Sequence, residues 1–489
     1  MPSWKAPYAE LLTNHLGSAR EASQFRHPRA TRPTMSESQA RPYEVRCPLH
    51  RSIPFNERER ALIDHPLLQR LRSISQLGFA HLVYPGATHT RFSHALGVMH
   101  LAGRIFDRIA DGAPALFHEG FAPGALDYCR QTVRFAGLLH DLGHLPFSHA
   151  FEPLLPSRAA LRLPRQWYHA RSARDWRAPA LHEDLSVAMV AALAGEPAAL
   201  LSEEEAQDAC ALIHDGIAPT ARLTGLGGGP ARNPYPLLKQ IISGEIDADR
   251  MDYLPRDAHF AGVTYGFFDL DRLIEGLSSV ETERGLVMAL DQDALFTYEN
   301  FLMARFHMAM QVYYHKTLLP FEHFIARAVR EGEIAMPFDG SVESFLQARE
   351  DVVLAQLYAA RERRWSARIV FRRPAARLFR IDGRDDPETR RRVLAALEAA
   401  GIPSIHIREE RRVSNLGAEA PDGTPPILVV ENVLGLERRT PLPEVSALLQ
   451  RYNQTFVIER IYCDPEDYAR ARDVLKRALA DNGGTGGAA

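Results

Sequence analysis

At 489 residues the chain exceeds what one hydrophobic core usually supports, so a large domain with smaller units attached is expected. Its 46% apolar and 24% charged residues suffice for a self-supporting fold, and a formal net charge of -3 excludes a globally basic surface, so an anionic substrate has to be held by a local cluster. Cys47, Cys129, Cys210 and Cys463 lie far apart without a CxxC pair, which argues against a zinc ribbon or a disulfide framework and for a reducing cytosol. No apolar run approaches the roughly 18 residues of a membrane span, and the N-terminus lacks the apolar core of a secretory signal. A cytoplasmic protein without a membrane partner is expected.

Residues 1–42 are rich in Ser, Arg, Pro and Ala without periodicity, the composition of a disordered leader, and Met35 is an alternative start. From 43 to 335 the pattern is helical: PLLQRLRSISQLG, VRFAGLLHDLGH, LSVAMVAALAG and ENFLMARFHMAMQVYYHK carry apolar residues at i, i+3, i+4 spacing. Two stretches interrupt it. Residues 155 to 181 interleave arginines with Trp167, Tyr168 and Trp176 and read as a solvated insertion, with a nucleotide or nucleic-acid contact as the alternative. GIAPTARLTGLGGGPARNPYP lacks the spacing of a phosphate-binding loop and reads as a flexible surface loop. Residues 336–480 turn to β-branched runs, ARIVF, ILVVENV and FVIERIYC, between helical patterns, and 481–489 form a Gly-rich tail. The expected fold is mainly α, a helical core with a smaller C-terminal α+β unit.

His94, the adjacent pair His140 and Asp141, and Asp249 read together as a ligand set for one divalent cation, and imidazole with carboxylate suits Mn, Fe, Ni, Zn or Mg. In GLLHDLGHLPFSHAFE a helix carries His140 and Asp141 to one end of a buried core, and His144 shares their face if the helix survives Gly143. Pro146 then forces a break and brings in His149 and Glu152 on the next segment. Arg91 and His94, three apart, share one side of a helix, so a guanidinium could hold a phosphate beside a metal-bound imidazole. In GEIDADRMDYLPRDAHFAG, Asp247, Asp249, Asp252 and Asp257 alternate with Arg250, Arg256 and Tyr253, and so acidic a segment beside an apolar flank needs a metal or its own arginines.

In this order RFSHALGV, LLHDLGHLPFSH, LHEDLS, DADRMDY and YYHK resemble the HD-domain phosphohydrolases, and more narrowly the branch containing the SAM-and-HD-domain deoxynucleoside triphosphate triphosphohydrolase and its bacterial relatives. The likeness runs from about Arg46 to Leu475. It implies that His94, His140, Asp141 and Asp249 hold the metal and that His182 is the catalytic histidine. The acidic partner of His182 falls on Glu152, where the family usually has Asp. His144, His149, Gln76, Leu77, Arg91, Arg250, Tyr253, Asp257, Arg305 and Tyr313 fall at positions meeting phosphate, sugar or base. Asp64, Gln69 and Arg72 fall where the family reads a regulatory guanine, and Arg460 at the same interface; Arg46 stands where the family has an Asn bridging two regulatory nucleotides.

The resemblance implies hydrolysis of a deoxynucleoside triphosphate to deoxynucleoside and inorganic triphosphate, with one divalent metal, Mg accompanying the nucleotide, a guanine-nucleotide activator, and assembly as a dimer or tetramer. The alternatives are an HD-type phosphohydrolase of a monophosphate or guanosine alarmone, and a nucleotide-responsive binder of single-stranded nucleic acid.

Overall fold

The computed structural model describes residues 43–480 except 118–119, 170–174, 199, 382–386, 413–426 and 453–454. The expected leader, Met35 and the Gly-rich tail lie outside the described residues. The chain opens with a hairpin of β1 (Tyr43–Cys47) and β2 (Arg51–Phe55), Tyr43 opposite Phe55 and Cys47 opposite Arg51. Asn56 caps α1 (Glu57–Ile63) in a capping box: its side chain takes the Glu59 amide, and Glu59 reaches back to the Asn56 amide at 3.0 Å. Buried Glu59 also receives two bonds from Arg134, at 2.5 and 2.8 Å.

Two long helices form the centre, α2 (Arg91–Gly112) and α3 (Ala125–Leu139), each buried over most of its length. Around them stand α4 (His182–Ala194), α5 (Glu203–Ile213), α6 (Tyr235–Ser243) and α7 (Ala248–Ala261). Asp247 caps α7 by accepting from the Arg250 amide, and Gly262 ends it at φ 71, a left-handed position that glycine occupies without steric cost. Helices dominate and the sheets are small, so the mainly α fold expected from periodicity is the fold observed.

β3 (Leu277–Thr282) and β4 (Gly285–Asp291) form a hairpin, followed by α8 (Leu295–Met308), a π-helical turn over Ala309–Tyr313 and α9 (Leu319–Arg330). Further on come α10 (Glu350–Ala359), β5 (Ala376–Ile381), α11 (Pro387–Ala399), β6 (Ser404–Arg412), β7 (Leu428–Val433), β8 (Leu436–Pro441), β9 (Thr455–Cys463) and α12 (Tyr468–Ala480). The boundary expected near residue 336 divides a sheet, because β7 pairs in parallel with β4 in the order β3-β4-β7-β8. Ile427, Val429, Leu442 and Tyr462 likewise join the main core. A second, small core lies under the sheet β5-β9-β6, where Val393 and Leu397 of α11 and Ala471 and Leu475 of α12 meet Ile381 and Ile461.

The two stretches expected as solvated or flexible are pinned down. In the Arg-rich stretch, Leu161, Leu163 and Trp167 enter the main core, Arg158 bonds buried Asp184 at 2.8 Å, and the Trp167 carbonyl takes the Ala218 amide at 2.8 Å. Trp167 is buried and Tyr168 and Trp176 pack half-buried against the core, while Arg162 and Arg165 ahead of them are exposed. In the Gly-rich stretch, buried Asp208 holds the Thr220 amide at 2.7 Å and Leu223 is buried. All four cysteines are free, and no helix among the described residues is long and apolar enough to cross a membrane.

Arg134→Ala should destabilise the fold by about 3–5 kcal/mol, since it strands the buried Glu59 carboxylate. Urea unfolding measures this, and a loss under about 1 kcal/mol would mean that the pair does not anchor α1 to α3.

Candidate metal centre and proton-transfer pair

Helix α3 stops at Leu139, and His140 stands at its C-cap with Asp141 in the turn beyond. The expected helical continuation to His144 does not occur, and Gly143 shows why: a β-carbon there would stand 2.0 Å from the His182 carbonyl and 2.3 Å from the Ser186 amide. Glycine lets this turn lie directly against the first turn of α4. His140 is fixed through Nδ1, 2.9 Å from the Gly137 carbonyl, so Nε2 faces away from the helix and is buried with no hydrogen-bond partner.

His94 comes from the second turn's edge of α2 and Asp249 from the start of α7. His94 Nε2 lies 3.0 Å from Asp249 Oδ1 and 3.7 Å from Asp141 Oδ2. His140 Nε2 lies 3.5 Å from Asp249 Oδ1 and 3.4 Å from Asp141 Oδ1. Two imidazole nitrogens and two carboxylates thus converge from three separate elements. The donor set fits a divalent cation: both histidines present Nε2, each is held by its other nitrogen, and the His140 Nε2 is a buried polar atom lacking a partner. Burial works against ionising Asp249, yet the bonds and charges of His140 and His94 hold its carboxyl well below the usual range. Burial would lower His94, but its bonds to Asp249 and Asp252 push it up to about 10.

The Asp252 carboxylate holds this arrangement from behind. It meets His94 Nδ1 at 2.8 Å, His50 Nε2 at 2.6 Å, and the Arg256 guanidinium at 2.7 and 2.8 Å. Gly97 makes room: a β-carbon there would fall 1.9 Å from Asp252 Oδ1. The sequence pattern placed Asp252 and Arg256 among alternating acids and arginines and gave no part to His50 or Gly97. The available signal was spacing, since Asp249, Asp252 and Arg256 recur at three and four residues and so share one face of α7.

Beside the centre stands a second polar group. After Pro146 the chain turns sharply, with Phe147 and Ser148 at φ 56 and 58, positions costly for side-chain-bearing residues. Glu350 of α10 takes the Phe147 amide at 2.9 Å and the Ser75 amide at 2.7 Å. From the other side, Arg70 donates to the carbonyls of Leu142 at 3.0 Å, His144 at 2.5 Å and Ala348 at 2.7 Å. So held, the His144 ring stacks on that of His182 at 3.8 Å, and a 3-10 turn over His149–Leu154 brings in His149 and Glu152. Glu152 Oε1 bonds His182 Nδ1 and also His149 Nδ1, the latter at 3.0 Å. Burial tends to deprotonate His182, but the Glu152 bond outweighs it and raises its pKa. His144 moves the other way, well down, through burial and the positive charges of Arg91 and His182. Two stacked imidazoles therefore differ in proton affinity, the separation that assigns distinct roles.

Arg91 does not stand open for a phosphate: its guanidinium bonds Asp141 and, at 3.0 Å, Ser148 Oγ. A buried carboxylate demands the nearest counter-charge. Arg250 is similarly engaged with Asp247 and the Gly244 carbonyl, and Arg305 with Glu245 at 2.5 Å. Two turns further along α7, Tyr313 Oη donates to Asp257 at 2.8 Å, opposite His89 on the same carboxylate at 2.8 Å. The Tyr253 ring lies 6.0 Å from that of Tyr313 and 6.4 Å from that of His94, which joins this wall to the centre. Gln76 is buried with Oε1 unpartnered, and Leu77 is half-buried beside it. Of the candidate regulatory residues, Arg72 donates to Gln69 at 2.7 Å and covers the Phe92 ring at 3.7 Å, while Asp64 ends α1 and faces Arg60 at 3.4 Å. Arg460 is not gathered with them by any described bond: it is buried and donates to the Tyr314 carbonyl at 2.5 Å.

Residues 91–257, which carry all four converging ligands and the His182 pair, match the HD domain family model. The chain carries an HD domain. It is 30% identical over 269 residues to the uncharacterized protein YwfO of Bacillus subtilis, covering 55% of this chain and 51% of that one. It is 32% identical over 242 residues to the deoxynucleoside triphosphate triphosphohydrolase SAMHD1 of Mus musculus, covering 48% of this chain and 34% of that one. A crystal structure of a hypothetical protein from Aquifex aeolicus superposes with a TM-score of 0.64 at 29% identity, over 88% of this chain and 99% of that one. The chain spans about half the length of the first curated relatives it matches.

Asp252→Asn keeps the volume beside Gly97 but removes the charge orienting His94, and should weaken Mn²⁺ binding about 10–100-fold. Calorimetric titration of the metal-stripped protein checks this; unchanged affinity would separate Asp252 from the metal centre.

Proposed function

We propose that the protein is a metal-dependent deoxynucleoside triphosphate triphosphohydrolase. The observation that carries the reading is the placement of the His182–Glu152 pair directly beside the His94, His140, Asp141 and Asp249 cluster, with His144 touching both. A cation held by those four residues would supply Lewis acidity, drawing charge from a phosphoryl oxygen and lowering the pKa of water in reach. Everything else is the work of the chain. Glu152 fixes His182 through Nδ1, so Nε2 carries the proton that the reaction needs. Water attacks the α-phosphorus, the bond to the 5′ oxygen breaks, that oxygen takes the His182 proton, and triphosphate leaves whole.

Arg91, Arg250 and Arg305 offset the triphosphate charge by exchanging their carboxylate partners for phosphate oxygens, the recognition a forked guanidinium suits. Asp257 and Tyr253 face the sugar, and the Tyr313 ring, tethered by its bond to Asp257, crowds the 2′ position and disfavours ribonucleotides. Gln76 and Leu77 line the sugar and base. The paired Gln69 and Arg72, with Asp64 close in sequence, supply an amide and a guanidinium for a guanine-nucleotide activator.

With Mn²⁺ and a dNTP, with and without dGTP, phosphorus NMR should show inorganic triphosphate and no pyrophosphate or orthophosphate. Asp249→Ala should abolish turnover and His182→Ala should lower it about 10²–10⁴-fold; pyrophosphate or orthophosphate as the product would overturn the reading.

The raised pKa of His182 keeps its proton available above the ordinary histidine range. Glu152→Gln removes the largest contribution that raises it, leaving Glu183 and Asp141 against the burial that lowers it, so the alkaline limb of the kcat profile should move to lower pH. A profile over pH 5 to 9 measures this, and an unmoved limb would exclude His182 as the proton donor.

A further inference from the structure

The proton-transfer pair is part of a larger donor group. His144, His149, Glu152 and His182 each place one ligand atom within 4.8 Å of the others. Three imidazoles and one carboxylate make a set richer in nitrogen than the two and two of the neighbouring centre. Such sets suit Zn²⁺ and its transition-metal neighbours over Mg²⁺.

Three features of the group are unexplained by proton transfer. Glu152 Oε1 accepts from two imidazoles at once, His182 and, at 3.0 Å, His149, although fixing one histidine requires only one. His144 Nδ1 is buried with no hydrogen-bond partner, in a residue only 2% exposed. The proton transfer proposed above gives His149 no step, yet its ring stands 5.0 Å from that of His144 and 5.3 Å from that of His182, with its side chain 58% exposed. An exposed ligand in front of buried ones gives a cation from solvent a way in.

We propose that His144, His149, Glu152 and His182 form a second site, for a transition-metal cation of the Zn²⁺ class, separate from the centre at His94, His140, Asp141 and Asp249. A tetrahedral ion with bonds of about 2.0–2.1 Å sets its ligand atoms about 3.3 Å apart, so the group closes on one with side-chain movements of about 1 Å. The cation takes the place of the protons now shared between Glu152 and the two histidines, and those protons pass to solvent. The consequence rests on the function proposed above: with the cation on Nδ1, His182 is a neutral metal-bound imidazole whose remaining Nε2 proton is far less acidic than that of the imidazolium, so excess zinc acts as an inhibitor. His144 Nε2, 3.3 Å from Asp141 Oδ1, puts the two sites on either side of one ring.

Metal-stripped full-length chain is titrated with Co²⁺, followed by visible absorption, and with Zn²⁺, followed by bound-metal analysis. Two equivalents are expected in the parent chain. His149→Gln, a change at an exposed side chain, should keep one and weaken the other at least tenfold; Asp249→Asn should weaken the first site and keep the second. One equivalent in the parent chain, or two unaltered in His149→Gln, overturns the site. Binding is read without substrate, so a failure of the triphosphohydrolase reading leaves this result standing. With a substrate in hand, His149→Gln should need at least tenfold more zinc than the parent to halve its own zinc-free rate, and equal sensitivity overturns the inhibition.

Discussion

Four nitrogen atoms from three side chains meet the Asp252 carboxylate in the interior, and no water-exposed surface relieves the charge. A carboxylate so placed costs several kcal/mol unless every lone pair is matched. The matching ties β1's following loop through His50, α2 through His94 and α7 through Arg256, so the helices cannot slide without breaking it. Gly97 is the steric condition for the arrangement, because any side chain there occupies the space of the carboxylate. The orientation of His94 follows, and with it the point on which Asp141, His140 and Asp249 converge. Low-dielectric networks built round a fully matched carboxylate trade adaptability for a unique geometry.

The loop from Leu142 to His149 shows how a strained segment is kept in place. Its backbone groups are answered from outside the HD domain as well as within it: Arg70 precedes the match and Glu350 follows it. Arg70 is a buried guanidinium with carbonyl partners and the face of Phe345 at 3.8 Å, and burial lowers its pKa to about 9. Gln69 and Arg72, on either side of it in sequence, bond each other at 2.7 Å. One short segment thus carries a polar pair beside a buried arginine that grips the turn bearing His144.

The candidate metal centre was legible because its side chains are chemically distinctive and their order along the chain is unusual, and the structure brings His94, His140, Asp141 and Asp249 together. The helical core was legible from periodicity. Residues whose importance comes from position were not. Gly97 and Gly143 matter through what a β-carbon would strike, and Arg70 and Glu350 through backbone groups far away in sequence. The Arg-rich stretch misled because charge dominates its composition while Leu161, Leu163 and Trp167 set its packing. The arginines expected at phosphates each have a carboxylate partner that composition cannot reveal. The segment after residue 336 read as separate because its periodicity changes, whereas strand pairing between β4 and β7 depends on contacts invisible to any local pattern.

That pairing also bears on biosynthesis. Strand β4 is buried along nearly its whole length, and its parallel neighbour β7 follows only after α8, the π-helical turn and the β5, α11 and β6 segment. At ribosomal rates of about 5–20 residues per second, roughly 7–27 seconds separate their emergence. For that interval Val287 and Ala289 sit on an open edge, the kind of surface that recruits other chains. The burden on holding chaperones should therefore fall late in synthesis, after the residues of the metal centre have already left the ribosome.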